Sequence, residues 1–278
     1  MRRAGPVVLL AVATVLPARV AAAAQRPLWE LGIGAGVLSY PDYPGAAQRQ
    51  NHLLPVPYVI YRGPILHAGR DGVQARVFET SRWSGRLSLG ASPPVNSSSD
   101  GARHGMADLR PTVEFGPSLQ LRLWRGARAR VDLRLPLRSA FTVERNPHNV
   151  GWLATPVLNL DMRETGALRG WKLGLQGGPM FVDRRYAQHD YGVAAADATA
   201  SRPAYAASGG YAGSALTTAL SRRFAHYWVG AFVRCDLLGG ASFADSPLLQ
   251  RHTAWSFGVG FAWVFDHSTR TVDSGADD

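Results

Sequence analysis

From Ala127 to Ser139 the chain reads "ARARVDLRLPLRS", and its odd and even positions have nothing in common. Ala127, Ala129, Val131, Leu133, Leu135 and Leu137 are apolar, whereas Arg128, Arg130, Asp132, Arg134, Pro136 and Arg138 include every charge of the run. A period of two is the side-chain period of a β-strand; on a helix the same order would scatter arginine and leucine around the axis. "TAWSFGVGFAWVF" repeats the pattern in another form, with Trp255, Phe257, Val259, Phe261, Trp263 and Phe265 on one face and Ala254, Ser256, Gly258, Gly260 and Ala262 on the other.

Comparable alternation runs through Trp29 to Val37, Arg86 to Ala91, Val113 to Trp124, Pro156 to Met162, Trp171 to Phe181, Leu216 to Leu220 and Tyr227 to Leu237. A soluble antiparallel sheet with one wet face also alternates, but it needs a second apolar layer and tolerates short strands. The longer runs here reach the roughly 9 to 11 residues with which a tilted strand crosses a bilayer. The expected fold is all-β, an antiparallel transmembrane β-barrel. Trp29, Trp124, Trp152, Trp171, Trp228, Trp255 and Trp263 fall near strand ends, where interfacial girdles of aromatic residues would sit. A single-chain barrel with both ends on one side has an even number of strands. Reading residues 65 to 79 as one strand gives eleven, and splitting it at Asp71-Gly72, a hairpin dipeptide, gives twelve. Ten is the rival if that dipeptide is only a bulge.

The chain ends divide from this body. Arg2 and Arg3, the apolar run Val7 to Leu16 and "VAAAAQ" have the order of a cleaved signal peptide, so residues 1–24 are assigned to it. Residues 25–266 form the barrel, and the polar residues 267–278 form a disordered tail. The single Cys235 cannot make an internal disulfide.

The formal net charge is +10. The arginines alternate with leucines along strands instead of clustering on one helix or basic patch, which argues against nucleic acid as a partner. In a barrel, Arg122, Arg128, Arg130, Arg134 and Arg138 would point into the lumen, where Glu114, Asp132 and Asp161 can pair with them. The reading preferred is a salt-bridged network that fills the lumen; the alternative is a conducting basic pore, which would favour anions. No zinc, nucleophile-elbow or phosphate-loop motif is present, no cofactor is implied, and Gly32, Gly34 and Gly36 fit the small face of a strand. A rim hydrolase built from His189 or His252 with Asp190 or Asp245 is the enzymatic alternative.

"PDYPGAAQ" followed by "LLPVPYVIYRG", then "RPAYAASGGYAGSALTTALSRRF", "YWVGAFVRCDLLGGASFADSPL" and "SFGVGFAWVF", together resemble the MipA/OmpV family. Pro41, Tyr43 and Gly45, then Pro55 and Pro57 with Tyr61 and Gly63, carry the resemblance most specifically. It implies an outer-membrane barrel of a Gram-negative bacterium, in contact with membrane lipid and lipopolysaccharide. It further implies a non-enzymatic scaffold that joins a lytic transglycosylase to a penicillin-binding protein, while other members are regarded as adhesins or porin-like proteins. Pro55 and Pro57 remain odd on any reading, because each removes a ladder donor from what is otherwise a strand. That strand is therefore expected to run beyond the bilayer, or to be bulged or locally unpaired.

Overall fold

The alternating segments form antiparallel strands in a computed structural model that describes residues 25–63, 66–69, 72–163 and 170–273. In chain order they are β1 (Gln25–Pro27), β2 (Trp29–Pro41), β3 (Arg49–Arg62), β4 (Leu66–Gly69), β5 (Gly72–Glu79), β6 (Trp83–Ser92), β7 (Thr112–Arg125) and β8 (Ala129–Thr142). There follow β9 (Asn149–Ala154), β10 (Val157–Arg163), β11 (Trp171–Val182), the helix α1 (Arg184–Tyr191), β12 (Gly210–Arg223), β13 (Tyr227–Leu237), β14 (Thr253–His267) and β15 (Thr271–Asp273). β9 and β10 are halves of one pass, broken at Thr155-Pro156, since both pair with β8 on one side and β11 on the other. β14 pairs with β2, so the order returns on itself, and the described residues make twelve passes.

Residues 1–24, assigned to a signal peptide, lie outside the described residues, as do residues 274–278. Of the expected tail, residues 267–273 are ordered against the barrel's first residues. Thr271 to Asp273 pair with Gln25 to Pro27, because Ser268 and Arg270 tie the turn between them to Trp29 and Leu28. Long connections gather at one end of the barrel (residues 42–48, 93–111, 143–148, 183–209 and 238–252), and tight turns such as 80–82, 126–128 and 224–226 occupy the other.

Outside, the apolar faces are bare: Ile33, Val37, Leu119, Leu135, Phe257, Val259 and Phe261 are all exposed. Exposed Trp152 and Trp255 lie toward the loop end, with Trp83, Trp124 and Trp263 toward the turn end. Trp255 and Trp263 are eight residues apart, about 27 Å along a strand at ~3.4 Å per residue, which a tilt of ~40° reduces to roughly the height of a bilayer's apolar band. Trp228 departs from the expected girdle: it turns inward, packing 6.0 Å from Tyr58 across the lumen side of β13.

Inside, glycines set how closely strands approach. A Cβ on Gly34 would fall on the Phe261 carbonyl oxygen and 2.5 Å from Ala262 Cα, so the seam between the first and last long strands depends on a bare backbone there. In the short hairpin of β4 and β5 Gly69 pairs with Gly72, so Gly72 of the expected Asp71-Gly72 turn lies in the strand, while Asp71 is outside the described residues.

Among the described residues that hairpin leaves the pairing of its two neighbours incomplete. β3 pairs with β2 along its whole length without a bulge, but with β4 only at Tyr61 and Arg62. β6 pairs with β5 only up to Leu87. Among the described residues, residues 49–60 of β3 and 88–92 of β6 therefore have no strand partner on this side, which leaves an unpaired window toward the loop end. The prolines fit this edge. The Arg62 amide donates to Leu28 on the β2 side, so by the two-residue alternation the odd positions 55 and 57 turn away from β2, toward the window. The expectation of a locally unpaired strand is met on one edge only.

Candidate functional site

The inward row of β8 carries the charge. Arg130 contacts Asp132 at 2.7 Å and Asp161 at 3.0 Å, and Arg134 stands 4.0 Å from Asp161. The β8 and β10 register sets Arg130 opposite Asp161 and Asp132 opposite Asn159, which is why an alternating sequence on each strand yields one network. Nearer the loops, Arg138 meets Glu114 at 3.2 Å and donates to Thr155. Gly90 on β6 makes room for this pair, since a Cβ there would meet both side chains. Asp132 is fully buried and Glu114 nearly so, so each of these carboxylates depends on its arginine.

Arg122 and Arg128 lie at the turn end, apart from this network. Arg122 follows the row only to the turn end, where it donates to the Ser81 carbonyl and lies 3.9 Å from Glu79. Arg128 is exposed in the turn between β7 and β8, because β8 starts only at Ala129. Nor does the network fill the lumen. A cavity of about 630 Å³ occupies the loop-end half, lined by Arg86, Glu114, Arg134, Arg138, Arg234 and Asp236 among others. A second, of about 560 Å³, lies toward the turn end between Arg130, Asp161 and Lys172 on one wall and Leu54, Val56 and Trp228 on the other.

Above the first cavity the outer connections close into a lid with a hydrophobic core of its own, including Tyr43, Val95, Leu109, Tyr191, Phe243, Leu248 and Leu249. The Pro41, Tyr43 and Gly45 motif builds it. Tyr43 is buried, its hydroxyl donates to the Leu248 carbonyl at 2.8 Å, and its ring stands edge-on to Tyr191. Gly45 adopts φ of 90°, a left-handed conformation, and its carbonyl accepts from Gln250 and Arg251. Tyr191 stacks on Phe243 with centroids 3.8 Å apart and donates to Pro44. Arg103 lies over the Tyr43 ring and donates to the Asp190 carbonyl. α1 starts on Asp183, whose carboxylate accepts from the Tyr186 amide, and the Tyr186 hydroxyl reaches Glu114 at 3.2 Å, which joins the lid to the charged wall.

Burial governs the lid's titrating groups. It pushes the Asp190 carboxyl up to about 7, with Glu114 adding to the rise and Arg103 opposing it. Burial also lowers His189, with Arg103 and His148 acting in the same direction. The Tyr43 hydroxyl is pushed up, and Arg103 is pushed down, again chiefly by burial. His189 stands 4.0 Å from Asp190, whereas His252 and Asp245 are exposed elsewhere in the loops. Among the described residues no serine hydroxyl hydrogen-bonds to either histidine, and no trio of His, Cys, Asp or Glu is placed to hold a metal ion.

Sequence reading overlooked the turn-end triad, in which Glu30 binds Arg62 at 2.9 Å and Arg223 at 2.8 Å. The signal was available: Glu30 shares its parity with Gly32, Gly34 and Gly36, so it had to point inward. The lid core carried no such periodic signal.

A family model described as MltA-interacting protein MipA matches residues 33–265. Among curated proteins no relative matches. Among solved structures, a NanC porin is 9% identical with a TM-score of 0.38, covering 84% of this chain and 98% of its own. The CymD monoaromatic hydrocarbon channel is 11% identical with a TM-score of 0.34, covering 87% and 90%. The Pseudomonas putida toluene transporter TodX is 11% identical with a TM-score of 0.31, covering 87% and 68%. These scores are too low to carry function across.

Proposed function

The chain belongs to the MltA-interacting protein MipA family, and from that premise we propose that it is a non-enzymatic outer-membrane barrel that scaffolds murein-remodelling enzymes. A lytic transglycosylase binds its turn end, and a penicillin-binding protein is the second partner. The family match over residues 33–265 is the observation that carries this reading. The turn end supports it with a fixed surface. The ribbon of β1 and β15 and the Glu30, Arg62 and Arg223 triad hold residues 25–30 and 271–273 in place, and exposed Arg82, Arg125, Arg128 and Arg270 give that surface a basic character. The tight turns alone offer little of the roughly 800 Å² per partner that a stable complex buries, so the ribbon is an essential part of the interface.

Co-purification from native membranes under mild crosslinking tests this directly. The lytic transglycosylase should be recovered with the parent protein and depleted when Arg82, Arg125 and Arg128 are replaced by glutamate in a variant that still folds. Repeated failure to recover it with the parent sinks the scaffold reading.

A second reading, a small anion-preferring channel, is favoured by the lining of the two cavities, where, the turn residues Arg125 and Arg128 aside, seven basic residues stand against five acidic ones. Reconstitution in planar bilayers tests it; a folded sample that gives no conductance steps removes it.

A further inference from the structure

Two connections of the lid meet at a pair of buried carboxylates. Asp42 begins the connection 42–48 and Asp100 lies within 93–111; Asp100 is fully buried and Asp42 is only 5% exposed. One oxygen of each is in use. Asp42 Oδ1 accepts from the Gln50 side-chain amide at 2.6 Å, and Asp100 Oδ1 accepts from the backbone N–H groups of Ala102 and Arg103 at 2.9 and 3.0 Å. The other oxygens, Asp42 Oδ2 and Asp100 Oδ2, are buried with no hydrogen-bond partner, and the two side chains lie within hydrogen-bonding reach of each other. Oε1 of Gln48 is a third buried oxygen without a partner. Gln48 belongs to the same place: its carbonyl accepts from the Asp42 amide, and a Cβ on Gly101, next to Asp100, would stand 2.9 Å from its Nε2.

Buried polar atoms are almost always paired, and three unmet acceptors in one place call for a positive charge. The arginines of this part of the lid are spent elsewhere. Arg103 donates to Ser97 Oγ and to the Ala107 and Asp190 carbonyls, and Arg202 donates to the carbonyls of Ala102, His104 and Asp197. Two adjacent buried carboxylates cannot both stay ionised with nothing positive between them. A shared proton would join one oxygen of each, leaving one negative charge buried and Gln48 Oε1 unmet. A cation can meet all three oxygens. An all-oxygen set selects a hard ion, and calcium accepts irregular oxygen shells completed by water, whereas magnesium demands near-octahedral geometry. Two carboxylates and an amide also differ from the trios of His, Cys, Asp or Glu, of which the described residues hold none. Asp42 lines the loop-end cavity, which gives an ion a route in.

We propose that Asp42 Oδ2, Asp100 Oδ2 and Gln48 Oε1 bind a calcium ion, which staples the connection 42–48 to the connection 93–111 and holds the lid closed over the loop-end cavity. The site is independent of the scaffold reading.

The test uses the full protein, refolded free of lipopolysaccharide in a neutral detergent and stripped with a chelator, and titrates calcium chloride by calorimetry near neutral pH. A single ion per chain should bind with a Kd of about 10⁻⁴ to 10⁻³ M, the range of extracellular calcium modules, and should slow proteolysis within residues 93–111. Asp100→Asn keeps the Oδ1 acceptor and offers Asp42 an N–H donor in place of the ion. In that variant calcium should bind roughly tenfold or more weakly, and proteolysis should be slow whether or not calcium is present. Should the variant fail to fold, terbium(III) on the parent decides: luminescence excited through the lid tyrosines should saturate at one ion per chain and fall as calcium displaces it. No saturable binding by the parent, equal affinity in parent and variant, or parent proteolysis indifferent to calcium overturns the proposal.

Discussion

Raising the pH should loosen the lid, and Asp190 should be the cause. Its carboxyl moves from an ordinary 3.8 to about 7 in the folded lid, and each tenfold change in proton affinity corresponds to about 1.4 kcal/mol, so holding the charge in place costs up to about 4 kcal/mol. The side chain keeps 19% exposure, which screens part of this, and about 2 to 4 kcal/mol is the expected range. The folded lid keeps the proton up to about pH 7, whereas a loosened lid releases it above 3.8. Between those values the folded form binds more protons, so its stability falls as pH rises through that interval and then levels off. His189 acts in the opposite sense: its depressed pKa makes protonation costly below its ordinary 6.5, which limits the lid on the acid side. The other charged groups around the pair are Arg103, Glu114 and His148. Hydrogen exchange of the amides of residues 184–191, corrected for intrinsic rates, reads the effect. From about pH 5 to about pH 8, where roughly 2 of the 3 pH units of the interval are crossed, the parent should lose protection by up to about 90-fold, and Asp190→Asn should abolish most of that slope. A flat parent profile, or an unchanged slope in Asp190→Asn, refutes the argument.

Three further outcomes are expected. Gly34→Val should push β2 off Phe261 and Ala262 and cost more than the usual ~1 to 3 kcal/mol of an overpacked core, seen as loss of heat-modifiable gel migration. Arg138→Gln leaves Glu114 buried without its ion pair and should destabilise the barrel by about 3 to 5 kcal/mol, lowering the thermal midpoint, with most of the loss recovered on adding Glu114→Gln. Tyr43→Phe removes one buried hydrogen bond to Leu248, about 1 kcal/mol, and should speed proteolysis of the outer connections while the barrel's own midpoint stays unchanged.

The two faces of β8 and β14 were legible because a strand exposes its alternation directly, and an apolar belt outside a polar lumen is what that alternation becomes when a sheet closes. The even count was legible as well, from the hairpin near Asp71. Arg128 and Trp228 were misplaced for a related reason. Parity says which face a residue takes only while it is in the strand and only relative to an apolar side, and Arg128 precedes its strand while Trp228 is an aromatic that packs inside over Gly230 and Gly260. The lid left no trace of this kind. Tyr43, Tyr191, Phe243 and Leu248 come from three connections more than forty residues apart along the chain or joined only across the barrel mouth, and no local period relates them.

By itself the sequence determined the strands, their two faces, the even number of passes and the membership carried by Pro41, Tyr43, Gly45, Pro55 and Pro57, because each is a matter of local geometry or of a local string. Only the tertiary structure decided which charges meet, since pairing depends on register between strands distant in sequence. It also decided that the outer connections pack into a lid, and that the two prolines border an unpaired window. A short hairpin beside a long strand leaves an edge open, and no single strand records the length of its neighbour.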